Sequence, residues 1–501
     1  MALDSFSRRH FFYGTLLAGA VPAGGFGSTP SLKALGYKSP NEKLNIASIG
    51  AGGKAESDIR GCAPTENIVA LCDVDDAQAA KTYKEFEKPP KYKDFRKMLD
   101  KEGAGIDAVI VTIPDHMHAM AAIHCMERGK HVYTQKPLVR TVKEARMMLE
   151  AANKYKVATQ MGNQGYSNEG TRQCAEMIWA GEIGKVTEVH AWTDRPIWPQ
   201  GLTAIPPASP VPPTLDWDLW LGIADYRDYT SGGVGYPEKV FGGNFYQHFN
   251  WRGFYDFGCG ALGDMACHIL GAPNMALKLG APSSVECIHK EGTSSFQFPK
   301  ASTIRFEFPA RGNMPPVTLY WYDGLKEQPR IKGVPEGEYL GDLPRVGANG
   351  GRGPGAAPPA TGFVGQVFHW DDAYLPEAER RKVTPDGSLF IGDKGMITTG
   401  TYGDQTRLLP VEKMRDYKFP PPLLTRSPGH YRDWIRACKG GDPACSNFSV
   451  AAPFVEWMLL GVIALQVEGK LEYDPVKMKI VNNAGANKYL TPTVRKGWSI
   501  T

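Results

Sequence analysis

The sequence has little net charge for its length: 57 lysine and arginine residues against 53 aspartate and glutamate residues leave +4 over 501 positions. So small an excess argues against a nucleic-acid-binding surface as the main function. The nine cysteines show no Cys-x-x-Cys pair and no Cys/His spacing typical of zinc, so we expect no structural zinc. Cys438 and Cys445 flank a turn and are the one pair considered for a disulfide, which the sequence leaves open. No internal repeat is present, which argues against a repeat architecture.

The N-terminal segment has only a short apolar run, Phe11–Val21, after the arginine pair Arg8 and Arg9. Eleven helical residues cannot cross a hydrocarbon core of about 30 Å, so this run predicts no membrane anchor. The pattern is typical of a twin-arginine export signal, and residues 1–42 are interpreted as signal and lead-in. This interpretation places the protein in the periplasm or outside the cell. A chance arginine pair before a short core helix is the alternative.

The next stretch combines an apolar strand with closely spaced glycines. Residues 44–50 form a mostly apolar run typical of a buried parallel strand. Gly50, Gly52 and Ala55 then match G-x-G-x-x-G/A, a pattern that allows a tight turn and a close backbone approach to a pyrophosphate. A helix beginning near Gly53 would point its free N–H groups at that pyrophosphate. The pattern predicts dinucleotide binding, and a glycine-rich loop of some other α/β protein is the alternative.

A second apolar strand ends in an acid that bears on the choice of dinucleotide. Residues 67–72 are followed by Asp73, about 20 residues past the turn, where the fingerprint places an acid that binds the ribose hydroxyls. A 2′-phosphate there would meet the like charge of Asp73. We therefore expect NAD rather than NADP, although Lys54 could neutralise part of a phosphate charge.

The chain divides into two regions of different pattern. From 43 to 165 strands alternate with helices, which predicts an α/β Rossmann domain with a doubly wound parallel sheet. From 166 to 501 strands of period two follow without a helix between each pair. We expect there a C-terminal substrate and oligomerisation domain with an open, mainly antiparallel sheet.

The predicted elements of the first region are strands 44–50, 67–73, 107–113, 131–134 and 157–161, and helices 53–62, 76–87, 94–102, 116–128 and 141–156. Those of the second region are strands 186–193, 302–308 and 317–322, helices 428–438 and 448–466, and irregular stretches 196–213 and 346–362.

Polar side chains follow two of the predicted strands. Pro114 and His118 come after one, and Gln135 and Lys136 come after the next. Because the carboxyl ends of parallel strands meet at one edge of a sheet, these residues are expected where open α/β sheets bind ligands.

A third polar stretch lies in the C-terminal region. Asp264 and His268 are four residues apart and so share one face of a predicted helix. With the glycine turn, Asp73 and the Lys-Pro pair, in this order, they resemble the Gfo/Idh/MocA family of NAD(P)-dependent oxidoreductases over roughly residues 43–470. The family's Glu-Lys-Pro is Gln-Lys-Pro at residues 135–137, which changes the charge beside the lysine.

The resemblance implies roles for three side chains. Lys136 would lie near the nicotinamide and the substrate oxygen and stabilise negative charge there. His268 would be a general acid/base with a near-neutral pKa, and Asp264 would orient the imidazole or hold a sugar hydroxyl. The alternatives are a core histidine and a helix N-cap.

Candidate cofactor contacts come from the carboxyl edge of the first sheet. They are Gly50, Gly52, Gly53, Asp73, Pro114, His118, Gln135, Lys136 and Asn163. Asp115, His116 and His118 would suit a metal, but histidines at a strand end more often cap a helix and line a pocket, so we expect no metal site.

Candidate substrate contacts are Arg195, Trp198, Trp251 and Arg252. Sugar rings present apolar faces that stack on tryptophan, so the set favours a carbohydrate-like substrate. Ordinary sheet packing with cation–π pairs would explain the same residues.

The resemblance and these residues together predict an exported NAD-dependent oxidoreductase. It would transfer a hydride to or from a sugar, polyol or glycoside and form a homo-oligomer, a dimer or a tetramer. Because an exported enzyme cannot rely on an external pool of dinucleotide, we expect NAD(H) to be loaded before export and held tightly. Two alternatives stay open: a redox-neutral NAD-dependent glycosidase or lyase, and a non-catalytic sugar-binding protein on the same fold.

Overall fold

Two β-sheets organise the residues that the computed structural model describes, which are 42–232, 244–292, 294–325, 327–342 and 386–500. The arginine pair and apolar run of the N-terminus, and the glycine-rich stretch 346–362, lie outside these residues. The expected α/β fold class, a doubly wound parallel sheet followed by a mainly antiparallel one, is confirmed.

The first sheet is parallel throughout, in the order β3-β2-β1-β4-β5-β6. Its strands are β1 (Asn45–Ile49), β2 (Asn67–Cys72), β3 (Lys91–Tyr92), β4 (Ala108–Val111), β5 (His131–Thr134) and β6 (Thr159–Met161). The helices between them are α1 (Lys54–Cys62), α2 (Asp76–Glu85), α3 (Phe95–Glu102), α4 (His118–Glu127) and α5 (Val142–Tyr155). The strand order reverses between β1 and β4, which opens the crevice where such sheets bind ligands.

Local sequence accounts for these elements. Four of the five residues of β1 are buried, as both faces of a parallel sheet are covered by helices. Helix α5 begins with a capping box, in which Thr141 N donates to Glu144 at 2.8 Å and Glu144 N donates to the Thr141 hydroxyl at 3.5 Å. Among the six strands of the first sheet, the two-residue β3 is the one without a counterpart in the prediction, because it carries no apolar run.

The second sheet has the order β13-β12-β11-β7-β10-β9-β8-β14-β15, with β7 and β10 parallel and the other neighbours antiparallel. Its strands are β7 (Val186–Trp192), β8 (Ser284–Glu291), β9 (Ala301–Phe308), β10 (Val317–Asp323), β11 (Gly387–Gly392), β12 (Met396–Thr399), β13 (Arg407–Leu409), β14 (Leu471–Asp474) and β15 (Lys479–Ile480). In β10 buried residues alternate with half-buried ones, so one face packs on the core and the other is open.

The remaining helices pack around both sheets. They are α6 (Glu169–Ala180), α7 (Trp217–Leu221), α8 (Gly260–Ile269), α9 (Gly271–Ala276), α10 (His430–Cys438) and α11 (Phe448–Ala464). The proline-rich stretch 196–213 contains neither helix nor strand, as predicted.

Helix α10 returns to the first sheet late in the chain. Trp434, Ile435 and Cys438 are buried in one cluster with Ile46 of β1 and Ile59 of α1. The boundary predicted at residue 165 therefore separates the two sheets, but a later segment completes the core of the first one.

The nine cysteines, Cys438 and Cys445 included, are free thiols. Within the described ranges, no helix is both long and apolar enough to cross a membrane.

Candidate active site

The glycine turn after β1 is shaped by its neighbours. Gly50 has φ 91°, and a Cβ there would lie 2.0 Å from the carbonyl oxygen of Thr112. A Cβ on Gly52 would lie 2.3 Å from the carbonyl oxygen of Gln78, so contact with α2, and not only a pyrophosphate, requires this glycine. Gly53 is the N-cap of α1, and its position makes no side-chain cap hydrogen bond, as suits a helix start that faces an anion.

Asp73 lies directly against this turn. Its carboxylate accepts hydrogen bonds from the backbone N–H groups of Ala51 at 2.8 Å and Gly52 at 3.1 Å, and from Asp75 at 3.0 Å. Burial raises the pKa of Asp73, and these hydrogen bonds oppose the rise. The glycine turn, the start of α1 and this acid together fit the pyrophosphate and ribose of a dinucleotide.

Lys136, Asp264 and Arg252 form a triad of charged side chains. Lys136 Nζ lies 2.9 Å from Asp264 Oδ1 and 2.7 Å from the carbonyl oxygen of the same residue. Arg252 Nε donates to the same Oδ1 at 2.8 Å. Burial raises the pKa of Asp264, but the charges of Lys136 and Arg252 outweigh it and hold the pKa well below its usual range. Asp264 therefore fixes the lysine, and its expected role of orienting the imidazole or holding a sugar hydroxyl stays a prediction.

His268 lies one helical turn beyond Asp264 on α8. It is only 5% exposed, its ring packs edge-on against Tyr402 with centroids 4.8 Å apart, and its Nδ1 has no hydrogen-bond partner among the described residues. Burial, and then the charge of Lys136, lowers the pKa of His268 well below its usual range. The expected near-neutral pKa is thus wrong, because the imidazole is buried next to a cation, and the ring is neutral at neutral pH.

Asp115 is close enough to Arg252, Asp264 and Lys136 for their charges to act on its carboxyl group. It is 2% exposed, and Oδ1 has no hydrogen-bond partner within the described part of the chain. Burial raises the pKa of Asp115 to about 8, although Arg252 and Lys136 act in the opposite direction. The sequence signal was its place after β4, directly before two histidines.

Two candidate cofactor contacts, His118 and Pro114, lie in the segment that follows β4. His118 is fully buried, with Nδ1 2.8 Å from the carbonyl oxygen of Pro137 and Nε2 2.8 Å from that of Ile113. Pro114 precedes the 3₁₀ turn that leads into α4. These residues join the loop after β4 to the Lys-Pro turn, and direct contact with a cofactor stays a prediction for both.

Asn163 is buried after β6 and uses both ends of its amide within the protein. Its Nδ2 lies 3.4 Å from the carbonyl oxygen of Cys267, and its Oδ1 accepts from the hydroxyl of Ser446. It thereby fixes α8 to the first sheet, and its predicted cofactor contact is untested.

Gln135 is 4% exposed and lies between Asp58 and the backbone of Lys136. Asp58, on the buried face of α1, was not singled out by the sequence, where it is one of many helical acids.

The four candidate substrate residues already have partners within the protein. The Arg252 guanidinium lies 3.9 Å from the ring centroid of Phe249 and 4.3 Å from that of Trp251, so stacking prepares it to hold Asp264. Trp198 is 3% exposed and packs edge-on against Phe249, so its ring is mostly committed to packing. Arg195 pairs with its neighbour Asp194 at 2.6 Å.

In the ranges that the structure describes, no group of three or more His, Cys, Asp or Glu side chains could hold a metal ion.

Two family models match the chain. Residues 44–163 match the model described as oxidoreductase family, NAD-binding Rossmann fold, and residues 182–287 match the C-terminal alpha/beta domain of the same family. Over these two ranges the chain matches the Gfo/Idh/MocA oxidoreductase family. The first sheet is accordingly its NAD-binding domain, and the expected cofactor, NAD, is confirmed at the level of this domain.

Relatives of known name are similar over part of the chain. An inositol 2-dehydrogenase from Serratia proteamaculans is 28% identical over 202 residues, which are 39% of this chain and 58% of that protein. A glycosyl hydrolase family 109 protein from Solibacter usitatus is 28% identical over 203 residues, 37% of this chain and 45% of that protein. The chain thus spans about half the length of the curated relatives it matches.

Solved structures show the same fold. The WlbA dehydrogenase from Bordetella pertussis, solved with NADH and UDP-GlcNAcA, superposes with a TM-score of 0.54 at 13% identity. The superposition covers 86% of this chain and 99% of that one.

Proposed function

We propose that this protein is an NAD-dependent oxidoreductase that transfers a hydride to or from a carbon bearing a hydroxyl group in a sugar, polyol or glycoside. The observation that carries the proposal is the ammonium group of Lys136, fixed by Asp264 next to His268 at the ligand-binding edge of an NAD-binding sheet. A positive charge and a neutral imidazole side by side suit the oxidation of an alcohol.

The residues divide the work between them. Bound NAD supplies the hydride acceptor. The neutral His268 accepts the proton of the substrate hydroxyl, since its lowered pKa leaves the ring unprotonated at rest. Lys136 stabilises the negative charge that develops on the same oxygen, and Asp264 with Arg252 keeps the ammonium group in place. Phe249 and Trp251 stack on Arg252 and offer aromatic rings on which the apolar face of a sugar or polyol ring would pack. The name of the inositol 2-dehydrogenase relative supports a polyol as substrate.

A panel of sugars, polyols and glycosides tests the proposal. We expect at least one to change the absorbance of the bound nicotinamide in a single turnover, and the His268→Ala variant to show no such change with it. A wild-type protein that holds NAD and oxidises none of these classes would contradict the proposal. Turnover that survives loss of both Lys136 and His268 would show that these two side chains do not carry the reaction.

We also propose that NAD(H) stays bound between turnovers. Support comes from the strap, residues 212–224, which pairs with the chain after β2. Asp76 N donates to the carbonyl oxygen of Thr214 at 3.1 Å, and Asp216 N donates to that of Val74 at 2.8 Å. The strap thereby lies next to Asp73, the expected ribose ligand.

The other end of the strap is anchored after β4. His116 Nε2 lies 3.2 Å from the carbonyl oxygens of Trp220 and Leu221, and Ile223 N lies 3.4 Å from the sulfur of Met117. Since β2 and β4 flank β1, the strap joins both sides of the crevice in which a dinucleotide would lie. Release of the cofactor would require these contacts to open.

Retention fits the proposed export by the twin-arginine route, which rests on Arg8, Arg9 and the apolar run after them. The dinucleotide content of protein dialysed exhaustively after purification tests it. We expect close to one NAD(H) per chain and little stimulation by added NAD. Empty protein that consumes free NAD stoichiometrically with product would overturn retention and weaken the argument for export.

A second candidate function is a redox-neutral glycosidase reaction, in which the hydride is returned within one cycle. The similarity to a glycosyl hydrolase family 109 protein favours it. Product analysis separates the two: a freed aglycone without net change in nicotinamide absorbance indicates the glycosidase, and an oxidised product indicates the dehydrogenase.

A homo-oligomer is proposed from the open face of the second sheet. His190 stacks there on Tyr320 and Tyr322, with centroids 5.1 Å and 5.8 Å apart. The mass of the purified protein from light scattering tests this, and a monomer would contradict it.

A further inference from the structure

Asp58 is a buried carboxylate at the junction of four segments. It lies on α1 and is 0% exposed. Oδ1 lies 2.6 Å from Lys54 Nζ and 2.7 Å from the hydroxyl of Tyr431. Oδ2 lies 2.9 Å from the hydroxyl of Thr112 and 2.9 Å from Nε2 of Gln135. Four donors therefore converge on one buried carboxylate and satisfy its hydrogen-bonding capacity within the protein.

The hydrogen bond to Asp58 determines which way the side-chain amide of Gln135 points. Because Nε2 donates to Asp58, Oε1 faces the other way and accepts the backbone N–H of Lys136 at 3.0 Å. A Cβ on Gly162 would lie 2.6 Å from the amide carbon, so this glycine leaves the space that the Gln135 side chain occupies. Asp58 is thus two hydrogen bonds away from the backbone of the catalytic lysine.

The same carboxylate also reaches the cofactor turn and the C-terminal region. Lys54 is the first residue of α1, directly after the glycine turn. Tyr431 belongs to α10, and its ring packs on Gly61, where a Cβ would lie 2.3 Å away. One buried acid therefore ties the start of the cofactor helix, the Lys136 turn and α10 together.

This arrangement explains why residue 135 is a glutamine. A glutamate there would place a second carboxylate beside Asp58, with no donor to offer it, and two like charges at hydrogen-bond distance repel. Glutamine supplies the donor that Asp58 requires and keeps the acceptor that Lys136 N–H requires.

We infer that Asp58 is a positioning residue for Lys136, acting through Gln135, and that this chain carries on α1 the negative charge that the Glu-Lys-Pro pattern places at residue 135. The inference rests on the proposed catalytic role of Lys136. It makes the pair Asp58 and Gln135 a unit in which one member must be acidic and the other an amide.

Exchange of the two roles tests this unit. In Gln135→Glu two carboxylates meet, and in Asp58→Asn a single amide oxygen faces four donors. We expect each to lower kcat about tenfold or more through misplacement of Lys136, with a smaller change in KM. In the double variant Asp58→Asn/Gln135→Glu, the amide and the acid have changed places, and most of kcat should return.

Controls with the same chemical changes lie away from the junction. Asp100→Asn on α3 and Gln466→Glu beyond α11 should leave kcat unchanged, and thermal unfolding of every variant checks that it folds. A double variant no more active than the worse single variant would overturn the inference. So would single variants with the full wild-type kcat.

A readout that needs no substrate separates this inference from the proposed function. Labelling of Lys136 by an amine-reactive reagent, measured by mass spectrometry against the exposed Lys394, reports its environment directly. We expect both single variants to change the labelling ratio about threefold or more and the double variant to restore it. A ratio that is the same in all four proteins would overturn the positioning role even if the enzyme is active.

Discussion

Lys136 is bound to Asp264 twice, once at the carboxylate, 2.9 Å away, and once at the backbone carbonyl, 2.7 Å away. The two residues belong to different parts of the chain. Lys136 directly follows β5 of the first sheet, and Asp264 lies on α8, between β7 and β8 of the second sheet. Since both side chains are nearly buried, loss of one partner would leave the other charge without compensation. This pair therefore joins the NAD-binding domain to the C-terminal domain.

Loss of the lysine should remove most activity. Lys136→Ala is expected to lower turnover by about two orders of magnitude or more, because the charge that stabilises the developing oxyanion is gone. Steady-state kinetics measures the effect, with Lys394→Ala as an exposed control that should behave as wild type. Near-normal turnover in Lys136→Ala would show that another group carries this charge.

Loss of the histidine should lower turnover on a similar scale without loss of cofactor. His268→Ala is expected to reduce turnover by about two orders of magnitude, the scale of a lost acid/base group. In the wild type, kcat/KM should hold level as the pH falls through 6.5, because burial and Lys136 keep the pKa of His268 below that value. A pH profile with a break near 6.5 that disappears in His268→Ala would contradict the lowered pKa.

Selection of NAD over NADP should follow from Asp73. A 2′-phosphate would meet its carboxylate, and Lys54 is already engaged by Asp58 at 2.6 Å, so it cannot readily offset that charge. Fluorescence titration of apoprotein with both dinucleotides is the measurement, and Asp73→Ser should narrow the preference. Tighter binding of NADP by the wild type would refute this assignment.

Weakening the strap should speed cofactor loss. Lys93 Nζ donates to the carbonyl oxygen of Thr214 at 2.7 Å and lies 3.1 Å from the carboxylate of Asp76. Lys93→Met should therefore raise the rate of NAD dissociation by about tenfold, the scale of one charged hydrogen bond. Stopped-flow displacement measures this rate, and Lys97→Met, an exposed change on α3, is the control. Equal rates in both variants would mean that the strap does not retain the cofactor.

Asp115 should make stability fall with rising pH. Its pKa is raised to about 8 by burial, whereas the unfolded chain loses this proton near about pH 3.9. Between these values the folded state binds the extra proton, so each pH unit gained costs the folded state up to about 1.4 kcal/mol.

Asp115→Asn removes this titration. In urea unfolding at several pH values between about 5 and 8, the free energy of unfolding of the variant should increase relative to that of the wild type as the pH rises. Asp100→Asn, an exposed change, should show no such trend. A difference in unfolding free energy that is flat with pH would exclude a raised pKa at Asp115.

Much of the fold could be predicted because its signals are local. The five longer strands and five helices of the first sheet follow from apolar runs, glycines and a capping box, each of which acts within a few residues. The short β3 was missed because two residues of mixed character carry no periodicity. Strands β11 to β15 are short or broken by turns and gave little signal.

Motif order singled out Lys136, Asp264 and His268, and Arg252 was expected only as a substrate contact. The structure adds Tyr402, which packs on His268, and Asp58, which bonds to Gln135 and Tyr431; both contacts join segments far apart in the chain. A hydrogen bond across 373 residues, such as that from Tyr431 to Asp58, leaves no trace in local sequence.

By itself, the sequence determined most of the strand and helix pattern of the first sheet, the glycine turn, the acid after β2 and the identity of the lysine and histidine. Only the tertiary structure decided their chemical states. Burial next to Lys136 lowers the pKa of His268, two cations lower the pKa of Asp264, and burial raises the pKa of Asp115. The physical reason is that a pKa depends on water exclusion and on charges a few ångströms away, and both are properties of packing between segments remote in the chain.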